Sequence, residues 1–181
     1  MIDYDLLNKS IIHYEGCGFT RIESPWLVTE YVDAITRPKN GIPYNIPNKN
    51  KNFVASGEQS LLYLYLKEYL PMGKFQTITP CLRNDTFDYT HTKYFMKNEL
   101  INTENTSYQK LLDMVQNAED FFNNLLPEKV DIVDTESGFD LEYKGIELGS
   151  YGIRECEFLK WIYGTGCAEP RTSKIIKYGV S

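Results

Sequence analysis

The sequence predicts an α+β fold, an antiparallel sheet flanked by helices, on three observations. Helical stripes interleave with strands that mostly follow one another through short turns, the pattern of hairpins rather than of wound parallel units. An apolar fraction of 42% with 24% charged residues over 181 positions gives one domain enough material for a single well-formed core. No strand leads into Gly-x-Gly-x-x-Gly and there is no Walker lysine, so neither the dinucleotide-binding nor the P-loop fold is supported.

The elements follow in order. Leu6, Leu7, Ile11 and Ile12 fall on helical spacing over residues 4–15, and Gly16 and Gly18 end that helix. Phe19 to Val28 alternates as a strand broken by Pro25, which implies an edge, a bulge or a chain–chain junction. Residues 36–51, rich in Pro, Asn, Gly and Lys, predict an exposed excursion whose only apolar part is Ile42 to Ile46. After Phe53-Val54-Ala55, Ser56-Gly57 makes a break, and a helix runs through Leu61, Leu62, Leu64, Tyr65 and Leu66. Phe75 to Leu82 alternates again, with Tyr94 to Ile101 as its antiparallel partner across residues 84–93. Thr106 and Gln109 have the form of a capping box. Behind them an apolar stripe from Leu111 through Met114, Ala118 and Phe122 to Leu125 forms a helix that Pro127 ends. Three short strands are expected near Val130–Asp134, Phe139–Tyr143 and Ile146–Ser150. A last helix then leads to a glycine turn at 164–166 and a short basic C-terminal helix.

Composition narrows the function classes. A net charge of −6 and a pI of about 5.0 argue against broad nucleic-acid binding. Cys17, Cys81, Cys156 and Cys167 form no Cys-x-x-Cys pair and have only His13 and His91 as companions, so neither a zinc site nor a disulfide framework is expected. The N-terminus carries acid where a signal peptide needs base, and no apolar run approaches membrane-spanning length. The expectation is a cytoplasmic protein with no membrane partner.

Several segments could carry chemistry. Arg83 and Phe95 on adjacent antiparallel strands would face one pocket, the planar fork of the arginine on phosphate and the aromatic ring on adenine; an ordinary hairpin with a surface Arg and a core Phe is the other reading. Asp140 and Glu147 on neighbouring strands could converge on a hard cation, since Mg²⁺ takes one or two carboxylates plus phosphate oxygens; a solvated acidic hairpin is the alternative. Gly164 and Gly166 allow close approach of the backbone, and Arg171 then starts a helix whose terminal amides favour anions. Glu58 and Gln59 can accept from an ammonium, while Ser56 suits an N-cap.

In this order and separation the segments resemble the catalytic core of the class II aminoacyl-tRNA synthetases, over roughly Asp5 to Lys177. The run from Arg83 to Phe95, with Thr90-His91 inside it and Glu99 beyond it, looks like the second signature motif in its lysyl-tRNA synthetase form. Gly164 to Arg171 resembles the third motif, and Gly18 to Leu27 the first, whose helix, strand and proline form the dimer interface of the family. Phe139 to Glu155 is similar to the metal-site strands of aspartyl- and asparaginyl-tRNA synthetases, and Ser150 to Arg154 also to asparagine synthetase A.

The resemblance implies a class II synthetase-like antiparallel sheet flanked by helices, with ATP and Mg²⁺ as cofactors. It implies that Arg83 holds the α-phosphate and the amino-acid carboxylate, Asp85 reads the adenine edge, His91 approaches the outer phosphates, Phe95 stacks and Arg171 binds the γ-phosphate. It further implies Mg²⁺ on Asp140, Glu147 and Ser150, the substrate side chain against Arg154, and its α-amino group near Ser56, Glu58 and Gln59. Asp85 stands where the family has Glu, and Pro170 and Glu169 depart from the usual residues before the third-motif arginine.

With the first motif near its start and the third near its end, residues 1–181 read as one catalytic core domain without an anticodon-binding module. The expected protein is a homodimer through Gly18–Leu27 that activates a small aspartate- or asparagine-like amino acid and transfers it to ammonia, a small amine, a protein or a modified nucleotide. The competing class is an inactive binding or regulatory module that senses an amino acid or nucleotide. A third is a tRNA-acting enzyme with a separate RNA-binding chain, supported only by the basic tail of Arg171, Lys174 and Lys177.

Overall fold

The computed structural model describes residues 1–39, 41–84 and 93–179. Seven strands form one sheet in the order β1-β4-β5-β9-β8-β7-β6, comprising β1 (Thr20–Arg21), β4 (Lys74–Leu82), β5 (Tyr94–Asn102), β6 (Asp131–Thr135), β7 (Gly138–Tyr143), β8 (Ile146–Cys156) and β9 (Leu159–Glu169). All pairings in it are antiparallel except that of β1 with β4, which is parallel. A separate hairpin-like pair, β2 (Leu27–Thr29) with β3 (Lys51–Phe53), lies beside it.

Helices cover both faces, because the central strands are apolar on both sides. On one face α1 (Tyr4–Gly16) and α4 (Tyr108–Asn123) pack with Leu100, Leu141, Tyr151 and Ile162. On the other, α2 (Glu30–Thr36), α3 (Gly57–Leu66) and Val28 and Val54 pack with Ile101, Trp161 and Tyr163. Neighbouring residues such as Leu100 and Ile101 thus belong to different cores, as the two-residue period of a strand requires. The chain closes with α5 (Arg171–Tyr178).

Three expectations are corrected. The segment before the C-terminal helix is not a helix ending in a glycine turn: Leu159–Glu169 is a central strand, buried from Trp161 through Glu169. A strand covered on both faces loses its polar alternation, and its continuous apolar run cannot be told from a buried helix by period. Its glycines serve packing rather than turning. A Cβ on Gly164 would sit 2.6 Å from Met114 Sδ and 2.7 Å from the Tyr151 ring.

The stretch from Phe19 to Val28 is not one strand but two short ones, β1 and β2, which join different sheets on either side of Pro25. The capping box at Thr106 does not form either. Ser107 is the N-cap without a side-chain bond, and Gln109 instead donates to Asp113.

The β6–β7 turn shows where the backbone tolerates no side chain. Gly138 has φ 143°, and a Cβ there would lie 2.1 Å from the Tyr151 carbonyl oxygen, a backbone atom that cannot swing aside. Gly138→Ala is expected to lower stability by about 2 kcal/mol or more, read as a lower urea midpoint at unchanged slope. An unchanged midpoint would mean that this hairpin is not built as described.

Candidate active site

A cavity of about 400 Å³ opens over the α3 face of the sheet, lined among others by Ser56, Glu58, Gln59, Arg83, Lys97, Glu99, Asp140, Glu147, Ser150 and Arg154. The strand register brings these residues together. Cys81 pairs with Phe95 across β4 and β5, and the ladder continues as Arg83 N donates to Lys93 O at 2.9 Å. Arg83 and Phe95 therefore share a face, with the guanidinium carbon 5.1 Å from the ring centroid. The Arg83 Nε also donates to Ala55 O at 3.1 Å, which ties it to the end of β3. Asp85 and His91 lie outside the described residues.

The floor of the cavity is a set of buried charges matched one to one. Glu99 is 1% exposed and accepts from Ser56 Oγ at 2.5 Å and Lys97 Nζ at 2.7 Å. Ser56 also caps α3, its Oγ accepting from Glu58 N at 3.2 Å, so one hydroxyl serves both helix and site. Helix α3 reaches this depth because residue 57 is glycine: a Cβ there would lie 2.9 Å from Glu99 Cβ. Glu58, 4% exposed, accepts from Arg154 Nη1 at 2.5 Å and Trp161 Nε1 at 2.7 Å. The Arg154 guanidinium stacks 4.0 Å from the Tyr163 ring centroid. Gln59 is engaged at Ala55 N and at Asp33, which Arg37 and Asn52 also hold.

Burial pushes the Glu58 carboxyl above its ordinary range; the Arg154 guanidinium opposes this and the Glu99 charge adds to it. Burial likewise raises the Cys81 and Cys167 thiols, which argues against either as a nucleophile near neutral pH.

At the other end of the cavity Asp140 and Ser150 are direct cross-strand partners, and Glu147 follows on β8 across an irregularity in the register. Arg171, the first residue of α5, donates through Nη1 to the Glu147 carbonyl oxygen at 2.9 Å and to Oε1 at 3.1 Å, while its buried Nε finds no partner among the described residues. Two carboxylates and a hydroxyl are hard oxygen donors of the kind Mg²⁺ accepts together with phosphate oxygens, so the residues present fit that ion. No group of three or more His, Cys, Asp or Glu assembles into a metal cage among the described residues.

Sequence reasoning missed Lys97, Trp161, Tyr163 and Asp33. Only Lys97 left a usable sign, two residues before Glu99 and hence on its face of the strand.

Pyrrolysyl-tRNA synthetase from Desulfitobacterium hafniense superimposes on 95% of this chain with a TM-score of 0.72 at 18% identity, the match covering 68% of that chain. Seryl-tRNA synthetase from Pyrococcus horikoshii, complexed with ATP, matches 96% of this chain and 49% of its own, with TM-score 0.76 and 16% identity. The chain has the fold of the class II aminoacyl-tRNA synthetase catalytic core. The cytoplasmic serine-tRNA ligase of Naegleria fowleri, in complex with AMP, matches this class II core with TM-score 0.72 at 19% identity, over 97% of this chain and 53% of its own. The class II core described here thus spans about half the length of these seryl enzymes and about two thirds of the pyrrolysyl one. No protein-family model and no curated protein matches the sequence.

Lys97→Met leaves Glu99 ionised and buried without its cation, and is expected to cost about 3 kcal/mol in chemical denaturation. Adding Glu99→Gln should recover most of that loss; a double variant no better than the single one would show that the pair is not the source. The raised Glu58 carboxyl has a signed consequence. The folded chain keeps the Glu58 proton above the ordinary carboxylate range while the unfolded chain has released it, so this group's contribution to stability falls as pH rises through that window. Glu58→Gln should flatten that part of the stability curve above the ordinary carboxylate range. An unchanged slope would assign it to other groups.

Proposed function

We propose that the chain activates a small amino acid with ATP, forming an aminoacyl-adenylate and pyrophosphate, and passes the aminoacyl group to an acceptor other than a tRNA read by its anticodon. The observation that carries this reading is the convergence of Arg83, Arg154, Asp140, Glu147 and Ser150 on one cavity of a class II core. The ATP and AMP named with the two seryl enzymes of the same fold support an adenine nucleotide here.

In this reading the substrate carboxylate attacks the α-phosphorus and pyrophosphate leaves. Arg83 then orients the carboxylate and neutralises the charge that develops, so positioning and electrostatics carry the step without a protein base. Phe95 stacks the adenine and Arg171 takes the outer phosphates, while the roles of Asp85 and His91 rest on the resemblance alone. Mg²⁺, held by Asp140, Glu147 and Ser150, would supply charge neutralisation on the phosphates. Ser56, Glu58 and Gln59 line the end of the cavity assigned to the α-amino group.

The Glu58–Arg154 pair favours the asparagine end of the aspartate and asparagine pair. A neutralised arginine beside a buried carboxylate offers one donor and one acceptor, which an amide matches and a second carboxylate does not. The open groove along Arg21 to Leu27, with Trp26 55% exposed, supports a homodimer through Gly18–Leu27. Among the described residues no helix is long and apolar enough to cross a membrane. The four free thiols support the proposed cytoplasmic location.

One observation favours the alternative of a regulatory module that binds amino acid or nucleotide without turnover: Arg171 Nη1 already closes on Glu147.

The test is ATP–pyrophosphate exchange against the twenty amino acids. Asparagine is expected to drive exchange better than aspartate, and Arg83→Ala to reduce it by about a hundredfold or more. Glu58→Gln should shift the ratio toward aspartate by about tenfold. ATP binding without exchange for any amino acid would select the regulatory module. Trp26→Glu is expected to convert a dimer of the 21.0 kDa chain to monomer by light scattering, and a wild-type monomer would remove the dimer.

A further inference from the structure

The bonds behind Arg83 run deep into the protein. Its Nε donates to Ala55 O at 3.1 Å, and the Ala55 N–H donates in turn to Gln59 Oε1 at 2.8 Å. The Gln59 Nε2 then donates to Asp33 at two points, to Oδ1 at 2.7 Å and to the backbone carbonyl at 3.1 Å. Gln59 and Asp33 are each 1% exposed. The other Asp33 carboxylate oxygen accepts from Asn52 at 2.8 Å and from Arg37 at 2.5 Å. A continuous chain of hydrogen bonds thus leads from α2, through the first turn of α3, to a guanidinium that lines the cavity.

This differs from ordinary helix capping. Ser56-Gly57-Glu58-Gln59 has the spacing of a capping box, and such a box needs only an acceptor at its fourth position, which Glu supplies as well as Gln. Here both amide N–H groups go to Asp33, so the position requires an amide and not merely an acceptor. A capping box also bonds the N-cap residue, whereas Gln59 reaches one residue further back, to the Ala55 that holds Arg83. With its nitrogen spent on Asp33 and its oxygen on a backbone N–H, the Gln59 amide has little left to offer a substrate.

Resting on the adenylate reading above, we propose that Gln59 and Asp33 are positioning residues: they act through the Ala55 backbone to fix the Arg83 guanidinium against the reacting carboxylate and α-phosphate. Such support matters because a misplacement of about 1 Å can cost about a hundredfold in rate.

The test is steady-state ATP–pyrophosphate exchange, with folding checked by circular dichroism and ATP affinity by calorimetry. Gln59→Met removes both links; it should lower kcat about tenfold or more while the amino-acid KM changes less than about twofold. Combined with Arg83→Ala it should cost less than about twofold further, because the arginine it supports is gone. The reciprocal pair Gln59→Glu with Asp33→Asn keeps one carboxylate and one amide while reversing donor and acceptor. It should bring kcat back to within about threefold of wild type, with Gln59→Glu alone staying low. A raised amino-acid KM at unchanged kcat would make Gln59 a substrate contact, and full additivity with Arg83→Ala would break the chain; either result overturns the proposal. Where Gln59→Met does not fold, the reciprocal pair decides, a folded chain with kcat still about tenfold low overturning it. No exchange by the wild type with any amino acid would remove the adenylate reading, and ATP affinity then tests the positioning. Gln59→Met should weaken ATP binding about fivefold and add nothing to Arg83→Ala, an unchanged affinity overturning the proposal by itself. A wild type that neither exchanges nor binds ATP removes both.

Discussion

Two carboxylates lie buried near each other on the sheet, Glu58 at 4% exposure and Glu99 at 1%, and the arrangement around the cavity depends on how they are compensated. An ion taken from water into the interior carries a penalty of several kcal/mol unless opposite charge and hydrogen bonds replace the solvent. Here the replacements come from every direction: Ser56 from the start of α3, Lys97 from β5, Arg154 from β8 and Trp161 from β9. Satisfying these two groups locks α3 against three strands of the sheet. Helix, sheet and cavity floor are therefore one electrostatic unit, and a change at one member is felt at the others.

That unit also explains why the cavity has distinct chemical regions. Deep charges are consumed in pairs, so the interior over Glu58 and Arg154 is polar yet neutral. Arg83, Asp140 and Glu147 line the same cavity. Leu82, Phe53 and Ile42 make up an apolar part of its lining. Paired charges and apolar side chains thus line one space.

The opposite face of the sheet supports this by rigidity rather than chemistry. Around the irregular register of β5 and β9, the Thr165 carbonyl accepts from Tyr151 OH at 2.7 Å and the Gly166 carbonyl from Tyr14 OH at 3.0 Å. Both tyrosines are fully buried in the α1–α4 core. Backbone groups that the ladder leaves unpaired are thus met by side chains, which permits a bulge in a central strand beneath the cavity.

Much of this architecture is written locally. The stripes of α1 and α4 and the alternation of β4 follow from side-chain period, and the signature segments around Arg83 and Arg171 carry the resemblance to the class II core. What period could not reveal is β9. Covered on both faces, it has no polar side, and Gly164 and Gly166 read as a turn until the Met114, Tyr151 and Tyr14 side chains that crowd them are in place. Nor could sequence pair Glu58 with Arg154, or Asp33 with Gln59: the first are 96 positions apart and the second 26, and only register and helix docking bring them within hydrogen-bonding distance. The chain by itself determined which charged and polar residue types were available to the cavity. Tertiary structure alone decided which charges are spent on one another and which still face the cavity, because ion pairing depends on distance and burial and neither is a property of a residue's place in the chain.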